Sequence, residues 1–375
     1  MIYNIPQDFV GSYDTAKLDF TTWTLDTIQQ KWPNVSDLST IHKVLSVKEI
    51  AQVARYVQDK TSKCTKYMSM LDKFFADNVA PLIEHTDYLV QRQPNLRVVI
   101  PGQEAHGQRV NFHCDALVGG GRGSMTAWIP LTDAYDSNSL YIADLDPSRD
   151  LVSKFIENRW PAKKFDEECY KLSKNKCLSP GEFLLFDQER VHGSINNTTQ
   201  KTRFSFDARF LIRGHETFQR VPGGYFRLPG DYSQRKQIDK NSNLLVYLNR
   251  STAFTKHIPF GMQRAFIDSY SRKFDLSDAS VDFLPQQIHE PLFIDWLPGL
   301  ENFITKRFDG IIMLSIFALP EDQDRREFLC NFAIENNMKL FFANEELCIE
   351  TTDDIQTVNE YYKYAVWQDG DFPWE

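Results

Sequence analysis

A histidine and an aspartate two residues apart, with a second histidine far along the chain, could together hold a metal ion. His113 and Asp115 lie in the stretch Arg109-Val-Asn-Phe-His-Cys-Asp-Ala-Leu-Val118. There Val110, Phe112 and Cys114 alternate with Asn111, His113 and Asp115, which predicts a β-strand. Strand side chains repeat every two residues, so His113 and Asp115 are expected on one face, with Asn111 beside them. His192, in His192-Gly-Ser194, is the candidate third ligand. Two imidazoles and one carboxylate gripping an ion from one side form a facial triad, which suits non-haem Fe(II) with open positions.

A second group could hold an anion. Arg203 follows His192 by 11 residues, across an Asn-Asn-Thr-Thr turn, and Ser205 lies two further on. In a strand over Thr202–Ile212 they share a face. A guanidinium fork plus a hydroxyl is what a bound dicarboxylate tail requires. Arg209 falls on the same face and is a rival for that carboxylate. Gly119-Gly-Gly-Arg-Gly123 lacks the Lys-Ser/Thr of a phosphate loop. It reads either as a loop beside the site, with Arg122 meeting an anionic substrate, or as a plain turn.

The elements that must position these residues are legible in outline. Ser46, with Glu49 three later, forms a capping box for a helix to about Gln58. Met68, Leu71, Phe75 and Val79 recur at helical spacing in a second helix that should stop near Pro81. From Leu96 the period changes to two: 96–101, 109–118, 124–131, 138–142, 179–186 and 202–212 read as strands. The charged stretch 148–176 reads as outer helices. Short strands with long excursions between them suggest a β-sandwich or barrel. Residues 215–242 are rich in Gly, Pro and Arg and look like a loop or linker. Beyond them strands at 244–248, 310–317 and 340–343 alternate with helices at 262–271, 300–307, 320–332 and 352–362, the pattern of a small open α/β domain.

Composition narrows the function classes. The chain has 375 residues and a net charge of −9. From residue 241 onward 11 Lys and Arg face 22 Asp and Glu, a net −11, which leaves +2 on the first 240. That step places a boundary near 240 and makes the acidic half a poor partner for nucleic acid. No secretory signal and no membrane span is evident, so a cytoplasmic protein is expected. The six Cys show no C-x-x-C pairing, which points to reduced thiols.

These motifs give the chain a family likeness. His113-Cys-Asp115, the lead-in Pro180-Gly-Glu-Phe-Leu-Leu-Phe186, His192-Gly-Ser194 and the Arg203/Ser205 pair resemble the Fe(II)/2-oxoglutarate-dependent oxygenases, specifically the phytanoyl-CoA hydroxylase-like branch. Thr126-Ala-Trp128 and the Asn138-Ser-Leu-Tyr141 strand also look like that branch. The likeness covers roughly 95–212. It implies a double-stranded β-helix, iron held by His113, Asp115 and His192, and 2-oxoglutarate as co-substrate with O₂. Arg203 and Ser205 would hold its distal carboxylate, with Trp128, Thr126 and Asn111 nearby and Tyr141, Arg122 and Arg209 toward substrate. Related halogenases lack the carboxylate ligand, so Asp115 favours hydroxylation or desaturation.

The two-part layout looks like oxygenases of sporadically distributed carbohydrate-biosynthesis clusters, which implies a sugar or nucleotide-sugar substrate. The strand at 244–249 with Arg250-Ser-Thr252 faintly resembles serine recombinases, but the charge argues against DNA. Expected partners are a small-molecule substrate, no nucleic acid and no membrane, with a homodimer through the C-terminal domain left open. Two other readings stand beside the oxygenase: a non-catalytic scaffold with an oxygenase-like barrel, and a Zn hydrolase on the same triad.

Overall fold

A computed structural model describes residues 8–83, 87–102, 112–118, 124–213, 222–232, 242, 244–248, 252–255, 258–273, 282–283 and 308–365. The chain divides into two compact units. One takes 1–220 with 226–232, the other 221–225 with 233–370.

The first unit opens with helices. Asp19 caps α1 (Phe20–Gln29) by accepting from the Thr22 N–H at 2.8 Å. The Ser46/Glu49 capping box starts α2 (Val47–Thr61), whose Ile50, Val53 and Val57 are fully buried. The described part of the next helix ends at Ile83, close to the stop expected near Pro81. After α3 (Thr65–Phe74) the backbone widens into a π-turn over Phe75–Val79 and continues as α4 (Ala80–Ile83). Proline removes one N–H from the helical ladder, and a π-turn is a common way for an interrupted ladder to continue.

The strands of this unit are, in chain order, β1 (Phe9–Ser12), β2 (Tyr88–Gln91), β3 (Asn95–Val99), β4 (His113–Cys114), β5 (Ser124–Pro130), β6 (Leu140–Ile142), β7 (Lys174–Lys176), β8 (Glu182–Asp187), β9 (Val191–Gly193), β10 (Arg203–Ile212) and β11 (Phe226–Arg227). Seven make one antiparallel sheet, in the order β1-β8-β5-β10-β2-β11 with β3 also on β10. The other four make a second antiparallel sheet, β4-β9-β6-β7.

Alternation on β10 sorts two environments. Phe204, Phe206, Ala208 and Phe210 join the core that the larger sheet shares with the helices, which includes Phe20, Tyr67, Phe74 and Phe75. Arg203, Ser205, Asp207 and Arg209 therefore face the other way. Trp128 of β5 and Leu184 and Phe186 of β8 lie on that second side, packed with Ile142 of the smaller sheet. The outer side of the smaller sheet is closed by α5 (Leu145–Glu157) and α6 (Ala162–Leu172), through Leu151, Phe165 and Cys169 against Phe112, Cys114 and Val191.

Among the described residues of the strand expected over Arg109–Val118, His113 and Cys114 alone are paired, and Asp115 opens a 3₁₀ turn, Asp115–Val118. Residues 109–111 lie outside the described set. The alternation of that sequence continues past the point where a pairing partner exists. None of the six cysteines is paired in a disulfide.

In the second unit β12 (Leu244–Val246), β13 (Asp282–Phe283), β14 (Gly310–Met313), β15 (Lys339–Phe342) and β16 (Leu347–Ile349) form one sheet, in the order β13-β12-β14-β15-β16. All neighbours are parallel except the β15–β16 hairpin. Helix α7 spans Phe260–Lys273, and further helices span Gln323–Glu335 and Thr352–Tyr362. The strand expected to reach Phe317 ends at Met313. There Ser315 caps a 3₁₀ turn, Ile316–Ala318, and the buried Glu345 takes the Ser315 hydroxyl and the Ile316 N–H. Burial pushes the Glu345 carboxyl up to about 7. The helix expected at 300–307 and Ser251 lie outside the described residues. Among those residues no helix is long and apolar enough to cross a membrane.

Candidate metal centre

His113 and His192 are direct cross-strand partners in the β4–β9 pair. Directly opposed residues of an antiparallel pair point to the same face. Their ring centroids accordingly lie 4.4 Å apart. Asp115 reaches the same point from the 3₁₀ turn, its Oδ1 3.7 Å from His113 Nε2. One ligand atom from each of His113, Asp115 and His192 falls within 4.8 Å of the others. The three expected ligands thus converge, although Asp115 does so from a turn rather than from a strand.

The protein has already selected the ligand atom of His192. Its Nδ1 lies 2.9 Å from the Arg190 carbonyl. A carbonyl can only accept, so Nδ1 carries the proton and Nε2 keeps the lone pair. Burial, then the neighbouring His113, pushes the His192 pKa down to about 4, so the ring is neutral near pH 7. The Phe186 ring lies edge-on to it, with centroids 4.8 Å apart. His113 keeps 22% of its side-chain surface exposed, against 1% for Asp115, so the centre opens on the His113 side.

The loop between β8 and β9 braces this arrangement, and no spacing in the sequence announces it. The Gln188 carbonyl accepts from the Ala116 N–H at 3.1 Å and from the Cys114 thiol at 3.2 Å, which ties the Asp115 turn to the His192 strand. Arg190 Nε donates to the Ala143 carbonyl at 2.7 Å. Gly193 is required by close approach: a Cβ there would sit 2.9 Å from backbone and ring atoms of Phe112.

The two arginines of β10 separate clearly. Arg209 Nε and Nη2 donate to Asp115 Oδ2 at 3.0 and 2.6 Å. It is a partner of the metal-binding carboxylate, so the rivalry with Arg203 for an external carboxylate does not arise. Arg203 is 1% exposed and donates to the Asn138 carbonyl at 2.9 Å and to Ser194 Oγ at 3.1 Å, both neutral groups. No carboxylate among the described residues lies within ion-pair distance of it, and Asp207 is engaged by Arg97 at 2.7 Å. Burial pulls the Arg203 pKa down to about 10. Its guanidinium carbon lies 5.7 Å from the centre of the Trp128 ring.

On the same face of the larger sheet as Arg203 stand buried polar atoms with no partner among the described residues: Arg203 Nε, Ser205 Oγ, Trp128 Nε1 and, beside Arg209, Thr126 Oγ1. An orphaned buried polar group is costly, and several on one face of one sheet mark a place built for a ligand with acceptor oxygens. The expected cofactor-side residues Arg203, Ser205, Trp128 and Thr126 thus lie on one face of the larger sheet, the face from which Arg209 reaches Asp115, with Thr126 opposite Arg209 in the register. Asn111 and Arg122 lie outside the described residues. Tyr141 is a correction. It pairs with Gly193 rather than His192, and its ring packs against Tyr170 of α6 with centroids 5.9 Å apart. It therefore points to the outer side of the smaller sheet, because a one-residue offset in a strand reverses the face.

No family model matches the chain, and neither does any curated protein sequence. Among solved structures the chain is similar to the nickel complex of the non-heme monooxygenase ThoJ, at 18% identity over 56% of this chain and 76% of that one, TM-score 0.36. It is also similar to CytC3 with Fe(II) and alpha-ketoglutarate, at 15% identity over 56% and 76%, TM-score 0.33. A third is EvdO2 from Micromonospora carbonacea var. aurantiaca complexed with 2-oxoglutarate, at 13% identity over 43% and 64%, TM-score 0.29. With TM-scores below 0.5 these likenesses carry no weight for the site, whose reading stands on its own residues.

Proposed function

We propose that the chain is an Fe(II)- and 2-oxoglutarate-dependent oxygenase whose two antiparallel sheets form a double-stranded β-helix. The observation that carries this reading is a pairing. A three-ligand cluster of two imidazoles and one carboxylate, carried by the smaller sheet and the turn after β4, accompanies a buried guanidinium on the face of the larger sheet from which Arg209 reaches Asp115, and no carboxylate among the described residues lies within ion-pair distance of that guanidinium. Burying an uncompensated charge costs several kcal/mol, on the order of what an anionic ligand would return. The donor set fits both groups. Imidazole and carboxylate suit Fe(II), and Arg203, Ser205, Thr126 and Trp128 offer donors to one end of a dicarboxylate.

His113, Asp115 and His192 would hold the iron, and Arg203 with Ser205 the distal carboxylate of 2-oxoglutarate. When bound, these groups supply the oxidising chemistry, consuming O₂ and converting 2-oxoglutarate to succinate and CO₂ as a substrate C–H bond is oxidised. The chain's own part is positional. The Arg190 carbonyl fixes the tautomer of His192. Arg203 neutralises the ligand's charge. Phe186 and Trp128 keep water from the buried side.

The reaction proposed is hydroxylation or desaturation of a small polar metabolite, a sugar or nucleotide-sugar, in the cytoplasm, without nucleic-acid or membrane partners. The family is the phytanoyl-CoA hydroxylase-like branch, in the setting of a carbohydrate-biosynthesis cluster.

The test is spectroscopic. Anaerobic protein given Fe(II) and 2-oxoglutarate is expected to develop a weak visible charge-transfer band, and Asp115→Ala to lose it. A folded wild-type protein with no band, and no succinate release in air with candidate sugars, would favour the scaffold or hydrolase reading.

A further inference from the structure

We infer that Arg209 is the positioning residue for the metal-binding carboxylate: it withholds Asp115 Oδ2 from the ion and presents Oδ1 alone. The inference rests on the metal-centre reading above. Two Arg209 donors, Nε and Nη2, fall on the same oxygen, Oδ2, at 3.0 and 2.6 Å, and both side chains are 1% exposed. The other oxygen, Oδ1, is the one that lies 3.7 Å from His113 Nε2. The two oxygens of one carboxylate therefore have separate partners.

Asp115 has particular need of such a restraint. It is the first residue of a 3₁₀ turn, not a paired strand residue, so its backbone lacks the ladder that fixes His113 and His192. Arg209 supplies the rigidity from a central strand. Its own N–H donates to Gln91 Oε1 at 3.0 Å, and the Gln91 amide is held by the Gln93 carbonyl at 2.8 Å. On the opposite neighbour it pairs with Thr126 of β5.

The consequence concerns coordination number. A facial triad that gives one carboxylate oxygen leaves three positions on an octahedral ion, whereas a chelating carboxylate leaves two. A keto acid needs two. Holding Oδ2 off the ion keeps the third position open. A planar guanidinium can do this with two donors on one fixed oxygen, and an ammonium on a flexible stem cannot.

The test uses the full chain with Co(II) alone as probe, so it depends on neither 2-oxoglutarate nor turnover. R209K keeps the charge and removes the fork. It is expected to weaken Co(II) binding by about tenfold or more, in the range typical for partners of metal ligands, and to change the visible Co(II) spectrum. Thermal melts run beside the titration, because a purely structural role would move the melting point and leave the spectrum unchanged. A folded R209K that binds Co(II) within twofold of wild type, with the same spectrum, overturns the clamp and leaves the metal centre standing. No Co(II) binding by wild type overturns the metal centre, and the clamp with it. Should R209K not fold, a crystal structure of the wild-type Co(II) complex decides. Ligation through Oδ1 with Arg209 on Oδ2 supports the clamp, and a chelating Asp115 or an Arg209 turned away overturns it.

Discussion

At the scale of single residues, Arg203 and Arg209 show how one side-chain type on one strand face serves opposite electrostatic ends. Both are buried to 1% exposure. Arg209 balances Asp115, whereas among the described residues Arg203 donates only to neutral oxygens. Removing one partner of a buried pair strands the other, typically at about 3–5 kcal/mol. Arg209→Met is therefore expected to destabilise the ligand-free protein by about that much. Arg203→Met removes an uncompensated charge and is expected to leave the ligand-free protein as stable as wild type or more so, while weakening 2-oxoglutarate binding by roughly 2–5 kcal/mol. Urea denaturation without metal or keto acid, beside a 2-oxoglutarate titration, separates the two variants. Equal destabilisation by both would mean that Arg203 has a structural anion partner, and the ligand argument would fail. The sequence showed that both arginines share a face, because that follows from a period of two. It could not show which one was satisfied, because the deciding carboxylate comes from residue 115, 94 positions away.

At the scale of elements, the best-read features were those whose cause is local. The capping box at Ser46 and the apolar stripe of the next helix depend on neighbours three and four residues away, so both were visible. Strand ends depend on partners, and they were misplaced: among the described residues of the 109–118 stretch only two are paired, and Tyr141, expected toward substrate, packs on the outer side of the smaller sheet. The His-Gly-Ser motif joins the two kinds of information. Its histidine was found by spacing, but the reason for its glycine is tertiary. Gly193 passes so close to Phe112 that a Cβ would stand 2.9 Å from the Phe112 backbone. Phe112 immediately precedes His113, and Gly193 immediately follows His192. A methyl group there would push β9 and β4 apart at the one place where their histidines must meet. Gly193→Ala is accordingly expected to fold, because the large core around Phe74 and Phe206 lies on the far face of the other sheet, and to lose Co(II) affinity by about tenfold or more. Calorimetric titration with a melting curve on the same sample measures both. Unchanged affinity would mean that the β4–β9 pair yields without moving its rings.

At the scale of the whole molecule, the charge step near 240 located a change of character but not the path of the chain. Residues 215–242 read as a linker because Pro222-Gly-Gly and Pro229-Gly punctuate them, and a two-residue strand between such turns has no periodicity to detect. The chain in fact returns to the first unit over 226–232. Phe226 and Arg227 extend the sheet edge at β2. Arg227 is fully buried and donates to Asp72 Oδ2 at 3.0 Å, and the Gly230 N–H reaches the same oxygen at 2.8 Å. Asp231 meets Arg92 at 3.1 Å. These contacts make the point of truncation matter more than the number of residues removed. Residues 1–240 keep the return segment and are expected to fold without the acidic remainder and to bind Co(II). Residues 1–220 remove the partner of Asp72 and a carboxylate from Arg92, and are expected to be less stable than 1–240 by about 3–5 kcal/mol. Urea midpoints of the two fragments, with the Co(II) spectrum as a readout of the centre, make the comparison. Aggregation of 1–240 while the full chain stays soluble would remove the case for a boundary there. Equal midpoints would show that Arg227 and its neighbours are passengers on the first unit, and the division would move back to 220.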